Sequence, residues 1–77
     1  MILEKTYLTI AKKDVNRKRN NKRVYVRAVK QYTDGYTTND IFDDFASYDI
    51  AMREMPGLCK QAANFMPNFV GYIEPMS

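Results

Sequence analysis

The sequence contains no histidine and no tryptophan, and it has a single cysteine. Without histidine, the commonest general acid and base is missing. Cys59 has no second cysteine to pair with. That excludes an intrachain disulfide and leads us to expect a reducing, cytoplasmic setting. Cys59 also lacks an activating partner, and beside Leu58 it reads as a small apolar residue more than as a nucleophile. The three glycines, Gly35, Gly57 and Gly71, are too scattered to form a phosphate-cradling loop. Asp40, Asp43 and Asp44 match no calcium-loop spacing and lack the glycine such a loop needs. No run approaches the ~20 apolar residues of a transmembrane helix. The opening stretch "MILEKTYLTIAKKD" sets Glu4 and Lys5 among its apolar residues, unlike a signal peptide. These absences predict a protein that is not an enzyme, holds no cofactor or metal, and does not enter a membrane.

What remains is short and tyrosine-rich. At 77 residues the chain is expected to form one domain, residues 1–77, near the lower limit for a core without staples. Its 45% hydrophobic and 27% charged residues are those of a globular protein, not a disordered one. Six tyrosines exceed what a core of this size needs, and tyrosine is enriched at contact surfaces.

The net charge of +3 hides a division. Residues 1–33 hold ten basic and two acidic residues, a net +8, and residues 34–77 hold two basic and seven acidic, a net −5. The basic half includes "NRKRNNKR", residues 16–23, with Arg17, Lys18, Arg19, Lys22 and Arg23 and no apolar residue. Such asymmetry marks a charged binding surface, or two halves that attract one another within the chain or across a dimer.

Hydrophobic periodicity gives the element order. "ILEKTYLTIA" reads as a strand with Leu8 and Ile10 on one face and Lys5, Tyr7 and Thr9 on the other. "VYVRAVKQY" alternates in the same way. Val24, Val26 and Ala28 share one face; Tyr25, Arg27, Val29 and Gln31 share the opposite one. The two strands should pair antiparallel, with roughly Lys12 to Lys22 as a long connection. Asp34-Gly35 signals a hairpin turn and a short third strand near Tyr36 to Thr38. "NDIFDDFASYD" is ambiguous; one reading is a short helical turn with Ile41, Phe42 and Phe45 on one side, Asp40, Asp43 and Asp44 outside, and Thr38 or Asn39 as its cap. Ser47 caps a helix whose apolar stripe is Tyr48, Ala51, Met55, Leu58, Ala62 and Phe65. Pro56-Gly57 interrupts the stripe, so the element is one kinked helix or two, with a nearly continuous element preferred, and Pro67 ends it. "NFVGYIEPM" closes the chain as a strand with Phe69, Gly71 and Ile73 on one face and Val70 and Tyr72 on the other, stopped by Pro75. The fold class is α+β: a small antiparallel sheet in the order β-β-β-α-β, with helical cover on one face.

The strands "ILEKTYLTIA" and "VYVRAVKQY", the helix-like "SYDIAMREMPGLCKQAANF" and the closing "FVGYIEP" together resemble, in size and architecture, small phage-encoded inhibitor proteins. Anti-CRISPR proteins and phage inhibitors of host RNA polymerase are of this kind. Those proteins share no sequence motif, so no functional residue carries over. The resemblance implies a protein partner in nucleic-acid machinery.

The residues themselves point to a binding surface made of Tyr7, Tyr25 and Arg27 with Arg17, Lys18, Arg19, Lys22 and Arg23. Arginines form charge-assisted hydrogen bonds to acidic groups, and tyrosines supply flat contact area. The first expectation is a non-enzymatic protein that blocks or modulates a nucleic-acid-handling complex. The alternative is direct binding of DNA or RNA, with cations neutralising phosphates and tyrosines stacking on bases. A third reading, a structural subunit held by the helical stripe, is separated from both by its oligomeric state.

Overall fold

A computed structural model describes residues 2–11 and 23–74. Four strands and one helix follow in the order β1 (Leu3–Ile10), β2 (Val24–Tyr32), β3 (Thr37–Phe45), α1 (Tyr48–Ala63) and β4 (Phe69–Tyr72). This is the β-β-β-α-β order expected from periodicity. The sheet runs β3-β2-β1-β4. It is mixed: β1 pairs antiparallel with β2, and β2 with β3, but β4 lies parallel to β1. The helix is what makes that possible, because a parallel return to the far edge needs a crossover connection.

Alternation along β1 and β2 separates the two faces as the sequence requires. Thr6, Leu8, Ile10, Val24 and Val26 are buried, and α1 covers them with Ala51, Met55, Leu58 and Ala62. Each large apolar side chain buried here contributes about 1.5–3 kcal/mol. Thr6 is the polar member of the buried set. Its hydroxyl donates to the Pro67 carbonyl at 2.8 Å and its amide donates to the Asn68 carbonyl at 3.0 Å. Asn68 takes a left-handed φ of 57° and donates from Nδ2 to the Leu3 carbonyl, so β4 is clasped to β1 at its start.

The hairpin turn forms where Asp34-Gly35 marks it. Gly35 takes a φ of 90° and donates to the Tyr32 carbonyl, while the Asp34 carboxylate accepts from the Tyr36 amide. Beyond it, the expected helical turn is a strand. β3 runs for nine residues against β2, from Thr37 opposite Gln31 to Phe45 opposite Val24. The helix-like spacing of Phe42 and Phe45 has a local cause. A bulge lies between Val26 and Arg27 on the β2 side, where Asp43 and Ile41 are the successive partners. The extra residue lets Phe42 and Phe45 both pack against the helix-side core, which unbroken alternation would forbid.

The helix is continuous through Pro56. Ser47 caps it, its hydroxyl accepting from the Ile50 amide at 3.2 Å. Pro56 and Gly57 are exposed, so the apolar stripe passes beneath them undisturbed. The helix stops at Ala63, before Pro67, and its last carbonyls accept from Asn64, Phe65 and Met66 in a tight final turn. Phe65 therefore leaves the stripe and is 63% exposed, stacking on Phe42 at 6.0 Å, and Met66 takes the buried position. In β4 the expected alternation fails as well. Gly71 has a φ of 105°, and Thr6-to-Leu8 on β1 spans Phe69-to-Tyr72 on β4. That extra residue turns both Phe69 and Tyr72 toward the core. Pro75, the expected stop, lies outside the described residues.

Candidate binding face

The helix covers one side of the sheet and leaves the other open. Lys5, Tyr7 and Thr9 of β1 and Tyr25, Arg27, Val29 and Gln31 of β2 occupy that open side by alternation. Pairing brings them into register: Lys5 faces Gln31, Tyr7 faces Val29, and Thr9 faces Arg27. On the other side of β2, Tyr25 faces Asp44, Arg27 faces Ile41 and Val29 faces Asn39. Tyr7, Tyr25 and Arg27, singled out from sequence, thus lie on one surface. Lys5 joins them, with its ammonium 5.8 Å from the Tyr7 ring centroid. That is within cation–π range.

Arg23 stands just before β2. Its Nε donates to Asp44 Oδ2 at 2.8 Å, across side chains that are 50% and 42% exposed. An exposed pair of this kind is worth about 0–1 kcal/mol. The basic half and the acidic half therefore do meet within the chain at this point. Arg17, Lys18, Arg19 and Lys22 lie outside the described residues, as does the expected connection from Lys12 to Lys22.

The open face carries a shallow groove of about 580 Å³. Tyr7, Thr9, Arg27 and Val29 line its centre, Thr37 and Asn39 its β3 side, and Ile73 and Glu74 the side that follows β4. Val29 is only 4% exposed, yet it is not part of the helix-side core. It is the groove's apolar floor. Alternation in the sequence puts Val29 on the outward face and marks no role for it. A lone aliphatic residue in an otherwise polar outward set was the available signal. Ile73 and Glu74 carried no such signal, because their position depends on the Gly71 irregularity.

No cluster of three or more His, Cys, Asp and Glu is placed to hold a metal ion among the described residues. Cys59 is half-buried, and burial pushes its thiol pKa up, away from the thiolate a nucleophile needs. Asp40, Asp43 and Asp44 lie along β3, and Asp43 accepts from the Asp44 amide. No helix of the described residues is long and apolar enough to cross a membrane. No protein family, curated protein or solved structure matches the chain.

Proposed function

We propose that this is a non-enzymatic binding protein that blocks or modulates a nucleic-acid-handling protein, using its open sheet face and the basic run of residues 16–23. The observation that carries this reading is the gathering of Lys5, Tyr7, Tyr25 and Arg27 on the face that α1 leaves uncovered. Flat aromatic rings with arginine among them are the composition of interface anchors. The +8 and −5 halves add a charge pattern suited to partners that themselves carry charged nucleic-acid sites. The architectural resemblance to small phage-encoded inhibitors supports the same partner class, and the single unpaired Cys59 fits a reducing, cytoplasmic compartment.

The experiment is affinity capture from source-cell extract with cross-linking, comparing the native chain with two variants. One replaces Arg17, Arg19 and Arg23 by Gln; the other replaces Tyr7 and Tyr25 by Ser. The captured protein should be one whose own ligand is DNA or RNA, and both variants should hold it less tightly. Unchanged capture by both variants, each still folded by circular dichroism, would remove the basis of the reading.

The second reading is direct binding of single-stranded nucleic acid. Tyrosines and an arginine on an open sheet face favour it, since bases stack on such surfaces. Asp44 and Glu74 lie on or beside the same face and weigh against it, because both would repel phosphates.

A further inference from the structure

Arg27 is the cation inside the groove. It is half-buried, and among the described residues no hydrogen bond or ion pair engages its side chain. The neighbouring cations differ. Arg23 is paired with Asp44, and Lys5 rests near Tyr7. Glu74 lines the same groove, but no ion pair joins it to Arg27. A guanidinium partly withdrawn from water and left without an acceptor is a group that a ligand's carboxylate would satisfy, bidentately and in a fixed plane.

Beside it, on the same side of β2, lies Val29, the buried floor. Residues two apart on a strand stand about 7 Å from one another. An extended peptide has the same period. A carboxylate and an aliphatic side chain two residues apart on such a peptide would meet Arg27 and Val29 together, while Ile73, whose amide donates to the Leu8 carbonyl, flanks the groove across β1 near Thr9. Thr9, Thr37 and Asn39 line the walls and offer hydroxyl and amide groups to the peptide backbone. A nucleic-acid strand fits less well. It repeats its phosphates along its length, whereas among the described residues the groove lining holds one cation, Arg27, and one anion, Glu74.

We propose that the groove binds an extended acidic segment of a partner protein, which presents a carboxylate to Arg27 and an aliphatic side chain two residues away to Val29. This rests on the open face being a protein-binding surface and names the chemistry recognised there.

The test uses the full chain, isotopically labelled for amide chemical-shift mapping, with three fluorescent probes. The first is a peptide in which Glu and Leu alternate with Ser; the second has Lys in place of Glu; the third is a single-stranded oligonucleotide. The acidic peptide should shift the amides of Thr9, Arg27, Val29 and Asn39, and the lysine peptide should not. Arg27→Gln should weaken the acidic peptide about tenfold or more, and Arg27→Lys by less, because lysine keeps the charge but loses the fork. Amide dispersion in the same spectra reports that each variant is folded. The proposal is overturned if the acidic peptide leaves the groove amides unmoved, if a folded Arg27→Gln binds it unchanged, or if the oligonucleotide takes the groove in preference. Should it fail while the Tyr7/Tyr25 variant still loses the captured partner, the protein-binding reading survives and only the ligand chemistry falls. Should the captured partner be indifferent to those tyrosines as well, both fall.

Discussion

Tyr72 shows how one backbone angle redistributes chemistry at the residue scale. Gly71, at φ 105°, delivers the Tyr72 ring to the core, and its hydroxyl ends buried without a hydrogen-bond partner. The Tyr48 phenol lies beside it and is the next influence on it after burial. Burial first, then Tyr48 and Glu74, push the Tyr72 pKa well above its ordinary value of 10.0. A phenol that keeps its proton longer in the fold than in the unfolded chain adds stability that is present below pH 10.0 and lost as pH rises above it. Cys59 acts with the same sign above its ordinary value of 9.0. Tyr72→Phe deletes an unsatisfied buried hydroxyl at nearly constant shape. Urea unfolding near neutral pH should therefore show stability unchanged or raised by up to about 1 kcal/mol. The variant should also lose less stability than the native chain between pH 9 and 11, roughly the range that straddles an ordinary tyrosine. A clear loss of stability at neutral pH would mean that the hydroxyl has a partner after all.

At the scale of elements, α1 and the outer strands teach different lessons. The helix was legible because its cap and stripe are local, and Pro56 falls on the solvent side of the stripe. Proline there still denies the Met52 carbonyl its hydrogen bond, at a cost of about 3 kcal/mol. Replacing proline gives back up to about 1 kcal/mol to the unfolded chain as entropy. Pro56→Ala should therefore raise stability by about 2 kcal/mol and increase helical circular dichroism. A fall in stability would mean that α1 packs on the sheet only in a bent form. β1 and β2 were equally legible, since alternation fixes their faces and, from Lys5 to Ile10, an unbroken register, with an irregularity between Leu3 and Lys5. The failures came at β3 and β4, and both have one cause. A single inserted residue resets the period of two, so Phe42 mimics a helical neighbour of Phe45, and Tyr72 changes sides. Bulges are tertiary features, and nothing in a short window of sequence marks Phe42 as the residue that will be extra.

For the whole molecule, the sheet sorts the chain into a covered side and an open side, and that division gives the candidate site its form. The placement of Tyr7, Tyr25 and Arg27 together followed from alternation alone. The groove did not, because its walls come from residues remote in sequence: Thr37 and Asn39 on β3, Ile73 and Glu74 after β4. The pairing of Arg23 with Asp44 was also invisible, although the attraction between basic and acidic halves that it expresses was not. The open face and the basic run of residues 16–23 are proposed to grip a protein. The most direct test is a titration of the full chain against labelled single-stranded and double-stranded nucleic acid, from low salt to about 0.15 M ionic strength. A protein-gripping face should show weak binding at low salt that vanishes at physiological salt, as expected of unspecific attraction to cations. Binding that persists at physiological salt, and that weakens when Arg17, Arg19 and Arg23 are replaced by Gln, would contradict it and make nucleic acid the ligand.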